Sequence, residues 1–464
     1  MEDEPKERRF LIRRPKALQY FHNGQFKKAA EKERVAGRFE LFFDLLCMYP
    51  DLVKERPNSF QIANFAEALT EHPSGTQLVI FILTFTPAWH AWADAKEHAN
   101  NYYNDDILQR CYILWIMALL ILYGNNANFV RESLNAQRVT VAAYQCIRFT
   151  QLSFFLLYSV ASHHHRTQNR VYAGLTFLGL LVWVPIHFEG VSDGAKVGVA
   201  FAAIVWEELA YVLGFSPIVA KMMNLEFTTA VDIEHEDDRY TAFTIIVLGE
   251  FTYSILVGSP AHGGMNAGIL RAVWTLVIAF CFNSMYVYTD GAIDNDHPIR
   301  HSVHTAFPWF LIHLPMSAGL LVGGHVSAIA TYEDLHTGHR WLWGGGLGVG
   351  VLGMWIIAQL FKDCDPPGKL LLPKQLRLLP RLLAAIIYVL LPLASHHELS
   401  TTSLISIGAG ISGFVVIWET ITGLERNAGI IESWSGKAET YGTVVDVSSR
   451  RRVTLEANLL SGDE

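Results

Sequence analysis

The sequence has few charged residues for its length. Lys, Arg, Asp and Glu make up 17% of its 464 residues, and 51% of the residues are hydrophobic. Ordinary soluble domains have about 25% charged residues. Intrinsic disorder is excluded, because it requires low hydrophobicity together with high net charge. A net charge of −8 without a sustained basic face likewise excludes a nucleic-acid-binding surface.

Cysteine is also scarce, with five residues and no CxxC pair, so a disulfide framework is not predicted. The run His163-His164-His165 does not predict a metal site, because three consecutive helical positions do not converge on one ion. Gly346 and Gly350 predict close helix packing. They do not predict nucleotide binding, since no strand precedes them. We therefore expect neither a metal ion nor a cofactor.

Long apolar runs are the main feature of the chain, and most are long enough for an α-helix to cross a hydrocarbon core of about 30 Å. Eleven are clear, at residues 76–95, 107–123, 139–161, 171–188, 194–215, 240–258, 269–289, 305–330, 341–361, 381–395 and 403–424. Residues 39–53 are a twelfth candidate, weakened by three acidic residues. The predicted fold class is an all-α polytopic bundle of eleven or twelve transmembrane helices in a lipid bilayer.

Charge divides the chain into three parts. Residues 1–37 contain ten Lys and Arg residues and predict a basic cytoplasmic tail, either a surface helix or disordered. Residues 38–426 form the transmembrane domain, and 427–464 form a polar cytoplasmic tail. With twelve spans both termini face the cytoplasm, and the inner loops then carry more Lys and Arg than the outer loops, as the positive-inside rule requires.

Charged residues inside apolar runs are the first candidates for function, because each costs about 2.5–3.5 kcal/mol at the bilayer centre. Glu40 and Asp44 are four residues apart and share a helix face. They predict either an interacting pair of acids or a joint site for a cation from another helix. Arg148 needs a carboxylate partner, for which Glu207 and Glu208 are the candidates. Because adjacent helix positions differ by about 100°, we expect these two acids to face different surroundings.

Glu250, at the centre of the run 240–258, is the strongest candidate for an acid that transfers protons. Burial favours the neutral form of a carboxyl group, which can act as a general acid. His90 lies four residues before Asp94, a spacing at which the carboxylate could orient the imidazole. Further candidates for the polar core, besides the catalytic candidates Glu250, Glu40, Asp44 and Asp290, are Asp106, Arg110, His313, Trp206 and Tyr286. Asp106 also suits the N-cap of the following helix.

Several short motifs resemble the low temperature requirement A family of polytopic membrane proteins. They are RFELFFDLL at 38–46, NDD at 104–106 followed by Arg110, FTIIVLGE at 243–250, residues 286–290, and HLP at 313–315 followed by Gly319. The resemblance implies a shared polar core that contains Glu40, Asp44, Asp106, Arg110, Glu250, Asp290 and His313. It implies little about activity.

Two functions are consistent with these residues. The first is an enzyme, an acid-initiated cyclase or isomerase acting on a lipophilic, isoprenoid-type substrate, in which a neutral carboxylic acid protonates the substrate and aromatic rings stabilise a cation. The alternative is a proton-coupled transporter or channel, since buried acids and histidines form proton relays. A membrane scaffold is a third possibility. The sequence favours the enzyme narrowly. A closed aromatic cavity would support chemistry, and a polar path to both faces would support transport.

Overall fold

The computed structural model describes residues 11–28, 40–44, 62–102, 106–256, 264–394 and 397–426. Its helices, in chain order, are α1 Ile62–Glu71, α2 Gly75–Tyr102, α3 Ile107–Ala127, α4 Leu134–Ala161, α5 Arg166–Trp183, α6 Asp193–Phe215, α7 Pro217–Met222, α8 Ile233–Leu256, α9 Ala267–Val287, α10 Pro298–His301, α11 Val303–Ile329, α12 Thr337–Leu360, α13 Lys374–Leu390 and α14 Thr401–Thr422. Short 3₁₀ turns extend α5 over Val184–His187 and α13 over Leu391–Leu393.

The described helices confirm the predicted all-α membrane bundle. Nine of them are long and apolar enough to cross a membrane. The two other long helices, α4 and α8, have buried charged residues such as Arg148 and Arg239. Together these eleven helices correspond to the eleven predicted spans. Of the twelfth candidate, residues 40–44 are helical, and its remaining residues lie outside the described part of the chain.

The long helices run alternately up and down, so the bundle has two faces. One face, called here the β face, holds the end of α2, the start of α3 and two small sheets. Strands β1 Gln19–His22, β2 Gln25–Lys28 and β3 Phe227–Thr229 form the first sheet, and β4 Asn295–Asp296 pairs with β5 Lys362–Asp363 in the second. The opposite face, called the distal face, holds the start of α2 and the loop between α3 and α4.

Within the basic N-terminal segment, residues 19–28 form a β-hairpin, which corrects the prediction of a surface helix or disorder for this part of the segment. Strands β1 and β2 are antiparallel, and β1 also pairs with β3. Asn23 and Gly24 connect the two strands with positive φ angles of 47° and 77°. An Asn-Gly pair with this backbone is typical of a two-residue hairpin turn, and it was the signal for these strands in the sequence. The polar C-terminal tail at 427–464 lies outside the described residues.

Helices α11 and α12 pack closely through glycines. A Cβ atom on Gly346 would lie 2.6 Å from the carbonyl oxygen of Gly319, and one on Gly350 would lie 2.4 Å from a side-chain carbon of Leu320. A Cβ atom on Gly323 would likewise lie 2.3 Å from a side-chain carbon of Leu347. Small residues let helix backbones approach in a membrane, so the predicted packing role of Gly346 and Gly350 is confirmed.

Several helices extend beyond the apolar runs that marked them. The predicted runs 76–95 and 240–258 exclude Lys96 and Arg239, but Lys96 is buried within α2 and Arg239 is buried within α8. Helix α13 spans Lys374–Leu390 instead of the predicted 381–395. It includes the buried residues Arg377 and Arg381, and Arg381 forms an ion pair with Glu419 of α14. Charged residues that have partners inside the bundle therefore do not mark the ends of these helices.

Candidate functional site

Arg148 of α4 lies at the centre of a buried polar cluster. It forms an ion pair with Asp94 of α2. Its Nε atom lies 4.0 Å from Glu207 Oε1, and Tyr172 of α5 donates a hydrogen bond of 2.7 Å to Asp94. A carboxylate partner for Arg148 was predicted, and Glu207 is one of the two acids proposed. The closer partner, Asp94, was assigned instead to orienting His90.

His90 of α2 lies between two carboxylates from adjacent positions of α6. Its Nδ1 atom is 2.7 Å from Glu207 Oε2, and its Nε2 atom is 2.9 Å from Glu208 Oε1. The ring is therefore oriented by these acids and not by Asp94. Two neighbouring glutamates can reach one residue because the imidazole nitrogens point in different directions. Their surroundings differ as expected, since the Glu207 side chain is 1% exposed and the Glu208 side chain 29%.

Glu207 is also connected to a large cavity at the distal face. Tyr144 of α4 donates a hydrogen bond of 2.5 Å to its Oε2 atom, and Trp183 of α5 donates one of 3.0 Å to Oε1. Tyr144 and Trp183 both line a cavity of about 520 Å³. The cavity also contacts Arg131 and Lys196, which lie next to the distal ends of α3 and α6. Glu207 thus lies directly behind the inner wall of this cavity.

A second, much smaller cavity lies on the other side of His90. It has a volume of about 50 Å³ and is lined by His90, Asp94, Glu207 and Glu208, and by residues of the β-face half such as Lys96. A buried water occupies about 30 Å³ of liquid volume, so this space suits a small number of waters. It is too small for a lipophilic substrate.

Glu40 and Asp44 form a separate cluster with residues of α8. Arg239 pairs with Asp44 at 2.5 Å and with Glu40 at 3.5 Å. His235 Nε2 lies 2.9 Å from Glu40, and Trp92 donates a hydrogen bond of 2.7 Å to Asp44. The pair therefore binds a cation from a neighbouring helix, as one of the two interpretations of its spacing predicted.

Lys96 lies between the two clusters. Its ammonium group is 2.5 Å from Glu236 of α8, and it lies over the rings of Tyr240 and Phe310 at 4.3 and 5.5 Å from their centroids. An ammonium group over aromatic faces gains cation–π stabilisation. Because Lys96 also lines the small cavity with Glu208, charged groups extend from the centre of α2 towards the β face.

Tyr286 and His313 form a pair of their own. His313 donates from Nδ1 to the carbonyl of Trp309 at 2.6 Å, and Tyr286 lies 3.1 Å from Nε2. The carbonyl can only accept, so Nδ1 carries the proton and Nε2 accepts from the tyrosine. Asp290 is at the β face, 3.3 Å from Lys374. The structure therefore does not bring Asp290 into contact with either central cluster.

The remaining predicted residues are dispersed. Asp106 caps α3 by accepting from Gln109 N at 2.8 Å, as predicted, whereas Arg110 is exposed on the same helix. Trp206 donates to the carbonyl of Leu175 at 2.9 Å and does not form part of the acid cluster. Glu250 is buried in α8, ten residues beyond Tyr240 and thus about 15 Å further along the helix.

The sequence analysis missed several residues of these clusters, including Tyr144, Tyr172, Lys96, His235, Glu236 and Arg239. His235 and Arg239 are four residues apart and share a helix face, which was the available signal. It was not used because the helix was taken to begin at residue 240. Within the part of the chain that the structure describes, no three His, Cys, Asp or Glu side chains could together hold a metal ion.

The helices and the buried charge clusters define a polytopic integral membrane protein. Residues 35–410 match the family described as bacterial low temperature requirement A protein (LtrA), which covers most of the chain. The protein therefore belongs to the LtrA family, as its short motifs suggested. No curated protein and no solved structure matches the chain.

Proposed function

We propose that the protein conducts protons across the membrane, as a transporter or channel, along a relay of Tyr144, Glu207, His90 and Glu208. The observation that carries the proposal is the position of His90, with a carboxylate oxygen within 2.9 Å of each ring nitrogen. An imidazole can accept a proton on one nitrogen and release one from the other. Buried chains of Glu and His serve as proton relays in pumps and transporters.

The groups at the two ends of the relay support a path that runs across the membrane, from the distal cavity towards the β face. At one end, Tyr144 lines the distal cavity and donates a hydrogen bond to Glu207. At the other end, Glu208 lines the small cavity together with Lys96, which continues to Glu236 in the first turn of α8. The polar groups thus extend from the distal cavity towards the β face, and this arrangement favours transport over the enzyme that the sequence favoured.

The experiment is proton uptake by proteoliposomes. A potassium diffusion potential, negative inside, is imposed with valinomycin, and an enclosed pH-sensitive dye reports acidification. We expect uptake with the wild-type protein and a loss of roughly 10²-fold or more for His90→Gln and Glu207→Gln, the contribution typical of one positioned proton-transfer group. Elution as a single species in detergent checks that each variant is folded.

The matched control is His313→Gln, because His313 is another buried histidine but bonds only Tyr286 and the Trp309 carbonyl among the contacts above. It should retain wild-type uptake. Wild-type uptake no faster than that of protein-free liposomes would contradict the proposal, as would normal uptake by folded His90→Gln.

An acid-initiated enzyme remains the second candidate, and one observation favours it. The distal cavity of about 520 Å³ has mostly apolar walls and ends at Tyr144 and Trp183, which both bond Glu207. A lipophilic molecule in this cavity would lie next to a buried acid. Incubating the protein with isoprenoid substrates and analysing products by mass spectrometry tests this function, with Glu207→Gln as the control for catalysis by the acid.

We also propose that the β face is cytoplasmic, with both termini on that side. The basic residues 13–28 that the structure describes lie at this face through β1 and β2, and cytoplasmic segments are enriched in Lys and Arg. Cysteine labelling with a membrane-impermeant reagent in intact cells tests the orientation. A residue introduced into the β1–β2 turn should be protected, and one introduced at Glu189, in the loop before α6, should be labelled.

A further inference from the structure

We propose that the distal cavity binds a small amphipathic carboxylate, with its head group at Lys196 and Arg131 and its apolar body along the cavity wall. Binding of this molecule does not depend on the proposed transport function. Only its role as a transported solute rests on that function. The binding site itself follows from the charges and walls of the cavity.

Lys196, near the start of α6, is the key residue. It is only 6% exposed, lines the cavity and makes one hydrogen bond of 2.8 Å to the side-chain oxygen of Gln137. An ammonium group has three donors, so two more hydrogen bonds can be made. No carboxylate in the described part of the chain lies within 4 Å of Lys196.

A largely buried lysine without a counter-ion is unfavourable, because its ammonium group loses part of its hydration and one neutral amide replaces that only in part. A bound carboxylate would supply both the opposite charge and the hydrogen-bond acceptors. A charged hydrogen bond of this kind is stronger than one between neutral groups. Lys196 therefore favours an anionic ligand over a neutral one.

The charges around the cavity favour a single negative charge on the ligand. The charged residues that line it are Arg131, Asp193 and Lys196. Arg131, like Lys196, has no carboxylate within 4 Å in the described residues. Two cations and one carboxylate leave one net positive charge, which a monocarboxylate would neutralise.

The walls favour an apolar body. Val79, Leu83, Pro87, Val141 and Ile186 line the cavity between its charged mouth and Tyr144. Its volume of about 520 Å³ lies within the range of roughly 300–1,000 Å³ that is typical of small-molecule sites. Lys196 and Glu207 are eleven residues apart on α6, about 16 Å along the helix, so the body of the ligand would extend from Lys196 towards the relay.

The experiment measures binding without transport. The protein is reconstituted in phosphatidylcholine nanodiscs and titrated calorimetrically with 3-phenylpropionate and hexanoate, and with 3-phenylpropanol as a neutral analogue. We expect both acids to bind and the alcohol to bind at least about tenfold more weakly, a difference of about 1.4 kcal/mol. Absence of binding by both acids, or equal binding of acid and alcohol, would overturn the proposal.

Variants assign the head-group site. Lys196→Met and Arg131→Gln should each weaken acid binding about tenfold or more, and Lys196→Arg should largely restore it. Arg131 is exposed, so its variant remains informative even where Lys196→Met does not fold. Arg138→Gln is the matched control, because Arg138 lies at the same face but bonds the His187 carbonyl and Glu189. Unchanged binding by folded Lys196→Met and by Arg131→Gln would refute the site.

An anionic lipid head group is the competing occupant. If phosphatidylglycerol in the nanodisc displaced the acids, the site would belong to lipid and the proposal would be wrong. The same titration with His90→Gln separates this inference from the proposed function. Acid binding should persist in that variant, so acid binding without any proton uptake by the wild-type protein would refute transport and leave the carboxylate site standing.

Discussion

Arg148 on α4 and Asp94 on α2 form a buried ion pair that joins two helices across the bundle. Tyr172 on α5 bonds the same carboxylate, so the pair connects three helices. Neither partner is more than 8% exposed at its side chain. Removing one partner would leave an uncompensated charge in a low-dielectric region.

Arg148→Leu should therefore destabilise the protein, by about 3–5 kcal/mol as for other broken buried pairs. Adding Asp94→Asn should recover much of the lost stability, because the stranded carboxylate is then neutral. Thermal unfolding in detergent measures both effects. Combining Arg148→Leu with Glu208→Gln is the control, and a recovery as large as that from Asp94→Asn would show that Asp94 is not the principal partner.

Gly346 and Gly345 on α12 provide a matched pair for the packing of α11 against α12. A Cβ on Gly346 would lie 2.6 Å from the Gly319 carbonyl oxygen, whereas one on Gly345 has no atom within 4 Å. Gly346→Ala should cost roughly 1–3 kcal/mol, as is typical of overpacking. Gly345→Ala should leave stability unchanged or slightly higher. The melting temperatures in detergent report the difference, and equal values would argue against close packing at Gly346.

Protonation of His165, which precedes α5, should destabilise the protein at acidic pH. Burial lowers the pKa of its imidazole to about 4, and the hydrogen bond to the Gln19 carbonyl opposes this only in part. The unfolded chain has the ordinary pKa of about 6.5, so it binds a proton first as the pH falls. Stability should therefore be full above pH 6.5 and fall towards pH 4, by about 2 kcal/mol at pH 5.

The measurement for His165 is the melting temperature between pH 7 and pH 5. His165→Gln keeps a donor for Gln19 and an acceptor for Tyr102, which lies 2.8 Å from Nδ1 in the wild-type protein. This variant should be less sensitive to pH than the wild-type protein. His163→Gln is the control at the same turn and should retain the wild-type dependence. Identical pH profiles for His165→Gln and the wild-type protein would contradict the assignment.

Glu250→Gln tests the prediction that Glu250, and not Glu207, is the general acid of an enzyme. An enzyme in which Glu250 is the general acid should lose typically 10²–10⁴-fold in turnover, with normal folding. In a transporter that uses the relay of Tyr144, Glu207, His90 and Glu208, the variant should keep its proton uptake, because Tyr240, at the small cavity, lies about 15 Å from Glu250 along α8. The same reconstituted sample can be used for the product assay and the uptake assay.

The residue pattern by itself determined the membrane bundle and the position of most helices. Apolar runs of sufficient length must lie in the bilayer as helices, because every backbone polar group there must be bonded within its own segment. Local signals were also sufficient for the Asp106 cap of α3 and for the close approach at Gly346. The cap depends on residues within one helix, and the close approach depends on the absence of a side chain.

Only the tertiary structure decided which charges meet. The pairs Arg148 with Asp94 and Arg239 with Asp44 join positions 54 and 195 residues apart. Helical periodicity shows which residues share a face, but it does not show which helix lies opposite that face. The ends of α2 and α8 were placed wrongly for a related reason. Lys96 is compatible with burial because Glu236 lies 2.5 Å away on another helix, and a partner of this kind exists only once the helices have packed.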